Sequence, residues 1–328
     1  MKEEEIRPDK VFKEYLRLAD LDSKKFFEKK NREKISCPAC LSEGNHIFIK
    51  HGFDYNECQH CQSIYVSPRP KQQEFFNYYK NSDSAKYFAT TFYDLTSESR
   101  REKLWKPKAK LINNIIKKYH AECNEIVDIG GGYGIFAEEY SRLCNTKITI
   151  IEPGIELSDI CAKKGFTVIN SFLEDVAVSD LSSNPKVFVS FELFEHLHDC
   201  NLFVKKLSNL MKPGDLFIFS TLSSIGVDIQ CLWENSNSIS LQHLNFFNPN
   251  SIKILLNRNG FDTLDVSTPG KLDIDILNKN RDLINDRFFR TLLLQSNEEI
   301  RDKIQNFISD NGYSSHMLVV SQKSNISK

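Results

Sequence analysis

What this chain lacks already narrows its role. Nowhere in its 328 residues is there an apolar run near the ~20 residues needed to cross a bilayer. The opening, MKEEEIRPDK, has no apolar stretch of the kind that marks a secretory signal. Net charge is almost absent too: 43 Lys and Arg against 44 Asp and Glu leave −1. That balance, with no aromatic–basic module in view, argues against a long nucleic-acid track. There is no internal repeat and no long low-complexity tract. The expectation is a soluble, cytoplasmic protein, long enough for a large core and two or three domains.

Cysteine is the first positive signal. Cys37, Cys40, Cys58 and Cys61 form C-x2-C-x17-C-x2-C. Four thiolates satisfy tetrahedral zinc, and each C-x-x-C turn aims two sulfurs at one point. The flanking segments are too short and polar to build a core unaided. Cys₄ sites have no open position, so the reading is a structural Zn²⁺ clip; the competing one is a ribbon that grips nucleic acid or protein. His46, His51 and His60 lie nearby and are not needed as ligands. Cys123, Cys144, Cys161, Cys200 and Cys231 show no paired spacing and read as ordinary thiols.

The chain divides by pattern. Residues 1–36 are charged, with apolar positions at helical spacing that predict one or two short helices. Residues 37–70 form the zinc-ribbon-like module. Residues 71–120 read as a helical lid or linker, rich in aromatics (Tyr78, Tyr79, Tyr87, Phe88, Tyr93) and ending in the basic run RREKLWKPKAK. From 121 to 328 apolar runs of strand length (EIVDIGG, KITIIEP, FTVINSF, KVFVSFEL, DLFIFSTL) alternate with helical segments. That alternation predicts an α/β fold, a doubly wound, Rossmann-like parallel sheet covered on both faces. A mostly helical insertion occupies about 268–315, before a last strand, HMLVVSQK.

VDIGGGYGIF follows the first of these strands and opens a helix. Glycines at 130, 132 and 134 let the backbone turn tightly and approach a ligand. The dinucleotide fingerprint would place Gly or Ala where Ile135 stands; the spacing here is D-x-G-x-G-x-G from Asp128. Glu152 closes the next strand, where an acidic side chain can accept both ribose hydroxyls. A G-x-x-x-x-G-K-[ST] phosphate loop is absent.

VDIGGGYG, IIEPG, SFLEDV, FELFEHLHD and LMKPGDLFIFSTL, in that order, resemble a class I S-adenosylmethionine-dependent methyltransferase over about residues 105–265 plus the last strand. The usual K-P-G-G stands here as KPGD. The resemblance implies that Asp128, Gly130, Gly132 and Gly134 hold the methionine part of the cofactor, that Glu152 binds its ribose, and that Phe172, Leu173, Glu174 and Asp175 flank its adenine. A zinc ribbon ahead of such a domain, the YVSPRP segment and the long insertion also resemble a bacterial group tied to surface-polysaccharide or secondary-metabolite sugars.

FELFEHLHD ends a strand that should be buried, so its charges need water, metal or ligand. Ligands bind beyond the carboxyl ends of such strands, which places Glu192, Glu195 and His196 near the methyl group, exposed to the cleft. Three readings stay open. E-x-x-E-H resembles the metal motif of the ubiquinone-pathway O-methyltransferases and of the small-RNA 3′-end 2′-O-methyltransferases. A second divalent cation would then sit on Glu192, Glu195, His196 and His243. Alternatively His196 or His243 is a general base, with no metal. Or Glu195–His196 only caps a helix. His198 and Asp199 read as surface and helix-start residues.

The function expected is methyl transfer to a small sugar-like or nucleotide-linked acceptor. The alternatives are an RNA ribose methyltransferase, drawing on the ribbon and the basic run, and a non-catalytic binding protein that keeps the fold.

Overall fold

β-Branched and aromatic residues dominate Lys147–Ile151 (KITII) and Lys186–Phe191 (KVFVSF), and both segments are almost wholly buried. Strands of this composition are stable when both sheet faces are covered. The computed structural model, which describes residues 1–30 and 32–325, assembles them into a seven-stranded sheet. In chain order the strands are β1 (Glu125–Ile129), β2 (Lys147–Ile151), β3 (Thr167–Ile169), β4 (Lys186–Phe191), β5 (Leu216–Leu222), β6 (Phe261–Ser267) and β7 (His316–Lys323). Neighbours run β6-β7-β5-β4-β1-β2-β3. The β1–β2, β2–β3, β1–β4 and β4–β5 pairs are parallel. Ile126, Ile150, Val187, Val189, Ile218 and Val320 share its core. This is the doubly wound sheet expected. Its order reverses between β1 and β4, the point where such sheets open a crevice at their carboxyl edge.

β3 is shorter than FTVINSF predicts. The Asn170 amide donates to the Glu152 and Pro153 carbonyls, which takes the chain out of the ladder.

The chain forms two compact units, each discontinuous in sequence. The parallel sheet belongs to the unit built from Arg101–Thr221, Lys253–Val266 and the chain from Leu318 onward. The other unit gathers Met1–Arg100, Leu222–Ile252 and Ser267–Met317. Its sheet is antiparallel: Gly44–Lys50, Phe53–Cys58, Ile64–Val66 and Asn245–Phe246 in that order. Phe27, Phe48, Phe53, Tyr55, Phe75 and Tyr78 make an aromatic core beneath it. Asp9–Phe26 is one continuous 18-residue helix, where periodicity left one or two short ones open. In the insertion, helices Asp273–Lys279, Arg287–Gln295 and Glu298–Asp310 pack around Leu277, Leu293 and Ile308. Among the described residues no helix is long and apolar enough to cross a membrane.

Candidate functional site

The loop after β1 explains its glycines one by one. Gly130, Gly132 and Gly134 all have positive φ (+74°, +54°, +70°), which only glycine adopts without strain. Gly131, passed over in the sequence pattern, is needed for space. A Cβ there would meet Ile150 Cγ2 at 2.7 Å and Asp128 Oδ2 at 3.1 Å. A Cβ on Gly132 would meet nothing within 4 Å, so the loop presents bare backbone on that side.

Asp128 lies beneath, 2% exposed, and its Oδ2 accepts no hydrogen bond. Burial, then the charge of Glu152, raises its carboxyl to about 7. A buried carboxylate oxygen with no donor is costly, and a ligand bearing an N–H donor relieves it.

Glu152 follows β2. Its Oε2 accepts from Gly132 N and its Oε1 from Gly154 N, both at 2.9 Å. Each oxygen retains a lone pair, so two hydroxyls can still be accepted. Burial raises this carboxyl as well, opposed by those two N–H groups. After β3, Phe172 is 42% exposed ahead of the 3₁₀ turn Leu173–Asp175, in which Leu173 is buried. Burial also raises Glu174.

The end of β4 departs from expectation. Glu195 is not exposed to a cleft; it is 1% exposed and accepts from Thr221 Oγ1 at 2.9 Å. Burial first, then the charge of Glu192, pushes it up to about 8. Glu192 sits at φ +55°. It accepts from Ser220 Oγ at 2.6 Å and faces Lys108 Nζ at 3.5 Å. The same Lys108 lies over the rings of Trp105 and Phe191. A non-glycine residue in the left-handed region costs about 1–2 kcal/mol, and such strain gathers at functional positions. The capping role considered for Glu195–His196 belongs instead to Asp199, whose side chain accepts from Leu202 N at 2.9 Å. His196 ends the 3₁₀ turn Phe194–His196.

Glu192, Glu195 and His196 belong to the parallel-sheet unit and His243 to the other. His243 Nδ1 is 2.7 Å from the Ser238 carbonyl oxygen. A carbonyl only accepts, so Nδ1 carries the hydrogen.

In the antiparallel unit the four cysteine sulfurs lie within 4.8 Å of one another, with Cys37–Cys61 at 3.5 Å and Cys40–Cys58 at 3.3 Å. Zinc–sulfur bonds of about 2.3 Å give a tetrahedron with edges of about 3.8 Å. The set fits that ion, with three of the four residues buried. The two knuckles are alike. Leu41 N donates to Cys37 O and Gln62 N to Cys58 O, and both Leu41 and Gln62 have positive φ.

The basic run is largely matched to acid. Arg101 donates to Glu138 and Glu139, Lys106 to Glu102, and Lys108 faces Glu192. Of the aromatics ahead of it, Tyr78 is fully buried and bonded to Ser84 and Gln242, while Tyr79 is exposed. Sequence reasoning missed Ser220 and Thr221. Their signal was two hydroxyls ending the otherwise apolar strand LFIFSTL.

Residues 89–266 match a family described as "Methyltransferase domain". Among curated proteins, the ubiquinone biosynthesis O-methyltransferase of Mesorhizobium japonicum is 29% identical over 103 residues, 30% of this chain and 41% of its own. That of Colwellia psychrerythraea is 30% identical over 104 residues, 30% of this chain and 42% of its own. The chain thus spans less than half the length of these relatives. Among solved structures, one chain of the Haloferax volcanii complex between the Trm112 methyltransferase activator and a methyltransferase superposes at TM-score 0.50 with 12% identity. It covers 73% of this chain and 96% of that one, a likeness of fold.

Proposed function

This chain belongs to the methyltransferase-domain family, and from that premise we propose that it transfers a methyl group from S-adenosylmethionine to a small sugar-like or nucleotide-linked acceptor. The observation that carries the donor assignment is the donorless Oδ2 of buried Asp128 under the bare backbone of Gly132. When bound, the donor supplies an electrophilic methyl group on a sulfonium. Asp128 would accept from its amino group, and the 130–134 backbone would hold its methionine part. Glu152, fixed by Gly132 and Gly154, would accept its ribose hydroxyls. Phe172, Leu173, Glu174 and Asp175 would flank its adenine. Asp128, Glu152 and Glu192 give this crevice an acidic lining, suited to a cationic ligand.

His196 or His243 accepts the acceptor's proton as attack proceeds. Alignment of the reacting atoms carries most of the rate. Glu192 is engaged by Ser220 and Lys108, and Glu195 by Thr221. Cys37, Cys40, Cys58 and Cys61 would hold one Zn²⁺, which cross-links the two knuckles.

The sugar-type acceptor rests on the zinc-ribbon, YVSPRP and insertion resemblance. The RNA alternative loses support, because Arg101, Lys106 and Lys108 already have acidic partners. Calorimetry with S-adenosylhomocysteine should give saturable heat, and a tritiated donor should label nucleotide-sugar extracts. Folded protein that takes up neither donor nor product overturns the assignment. Label entering RNA rather than the extract transfers it to the alternative.

A further inference from the structure

Segment 236–244 is pinned from several directions. Lys50 Nζ donates to Ser236 O at 2.7 Å. Tyr55 Oη donates to Ser240 O and His243 O at 3.3 and 3.2 Å. Ile239, Leu241 and Leu244 are buried. Ser238, whose carbonyl takes the His243 Nδ1 hydrogen, is itself tied by its side chain: Ser238 Oγ donates to Asp228 Oδ2 at 3.3 Å. Asp228 lies outside this segment, on the helix Val227–Leu232, and is fully buried.

We propose that Asp228 is a positioning residue for His243, acting through Ser238. Its carboxylate fixes the Ser238 hydroxyl, the hydroxyl fixes the peptide, and the peptide carbonyl selects the Nδ1–H tautomer. A carbonyl or carboxylate behind a working imidazole sets which ring nitrogen is available, and loss of such support typically costs tenfold or more. An aspartate in direct contact with the imidazole would act by charge; here the carboxylate acts by geometry, one residue removed. The catalytic part of this inference rests on the reading of His243 as the base, whereas the tautomer part does not.

The test uses the full chain, ¹⁵N-labelled at histidine, with S-adenosylhomocysteine added. Ring signals missing from His243→Gln identify the residue. The unsubstituted protein should show a protonated Nδ1 and an unprotonated Nε2. Ser238→Ala and Asp228→Ala should each give mixed tautomers and lower kcat about tenfold, with the donor KM little changed. Asp228→Asn retains an oxygen acceptor and should restore the single-tautomer spectrum. A merely structural aspartate would lower the melting temperature of Asp228→Ala and leave the ring unchanged. Ser238→Ala, a small deletion, keeps the test open where Asp228→Ala does not fold. A pure Nδ1–H signature in the folded alanine variants overturns the proposal. Spectra that move as expected while His243→Gln keeps its kcat uphold Asp228's role and refute the base reading instead.

Discussion

The glycine loop and the cysteine knuckles both bend the chain through left-handed backbone, with opposite choices of residue. The loop uses Gly130, Gly132 and Gly134; the knuckles use Leu41 and Gln62. In the loop, side chains must be absent: Gly131 has no room for one, and Gly132 clears space that a ligand needs. In the knuckles, four metal bonds would over-determine the turn, so the strain of a side chain can be carried. Each such residue costs about 1–2 kcal/mol, against a zinc-site contribution on the order of 10 kcal/mol. One bend is shaped by what it must leave empty, the other by what ties it together.

The largest effect should separate these two regions cleanly. Chelation, or Cys58→Ser, should unfold the antiparallel sheet around residues 44–66, a loss on the order of 10 kcal/mol for that element. Hydrogen exchange of β1, β2 and β4 should be affected far less; equal exposure of both sheets would break the contrast. Asp128→Ala should weaken S-adenosylhomocysteine binding about 100-fold by calorimetry, since a charged hydrogen bond is worth about 1.5–3 kcal/mol. Glu152→Gln should weaken it about tenfold, because the amide keeps one acceptor and loses the other.

Acidity gives a smaller, signed effect. The folded Asp128 carboxyl sits near 7 and Glu195 near 8, both raised chiefly by burial. A carboxyl raised on folding contributes stability that is complete below its unfolded value. That contribution is lost as pH climbs through the folded one. The ligand-free melting temperature should therefore fall between about pH 4 and 8 and level off above. Ligand affinity should run the other way, rising up to about tenfold per pH unit from 5.5 to 7 as Asp128 ionises. A flat melting profile would show that these carboxyls are not buried as described. Smallest of all, Leu41→Gly should change stability by no more than about 1 kcal/mol. Relief of its φ and the added chain entropy oppose each other there. Gly132→Ala should cost about 1–2 kcal/mol from φ alone.

Much of the parallel half was legible because it is locally encoded. Strand runs, glycine spacing and Asp128 are each short-range patterns with one stable solution. The four cysteines were legible for the same reason. Glu195 was misread as exposed because a carboxyl in a strand-end motif says nothing about what a neighbouring strand sets against it. Its burial depends on Thr221, which arrives from another strand. In the sequence Lys108 is one cation in a run of several; only the fold brings it to Glu192. Nor does any local pattern show that residues 222–252 and 267–317 join the first hundred, since such contacts are encoded by no neighbouring residues. The Asp228–Ser238–His243 chain is of this kind as well.

The insertion leaves the parallel sheet after β6 and returns at β7, and these are adjacent strands. Entry and exit are therefore neighbours, so some fifty residues depart and come back at one point of the sheet without rethreading a single strand.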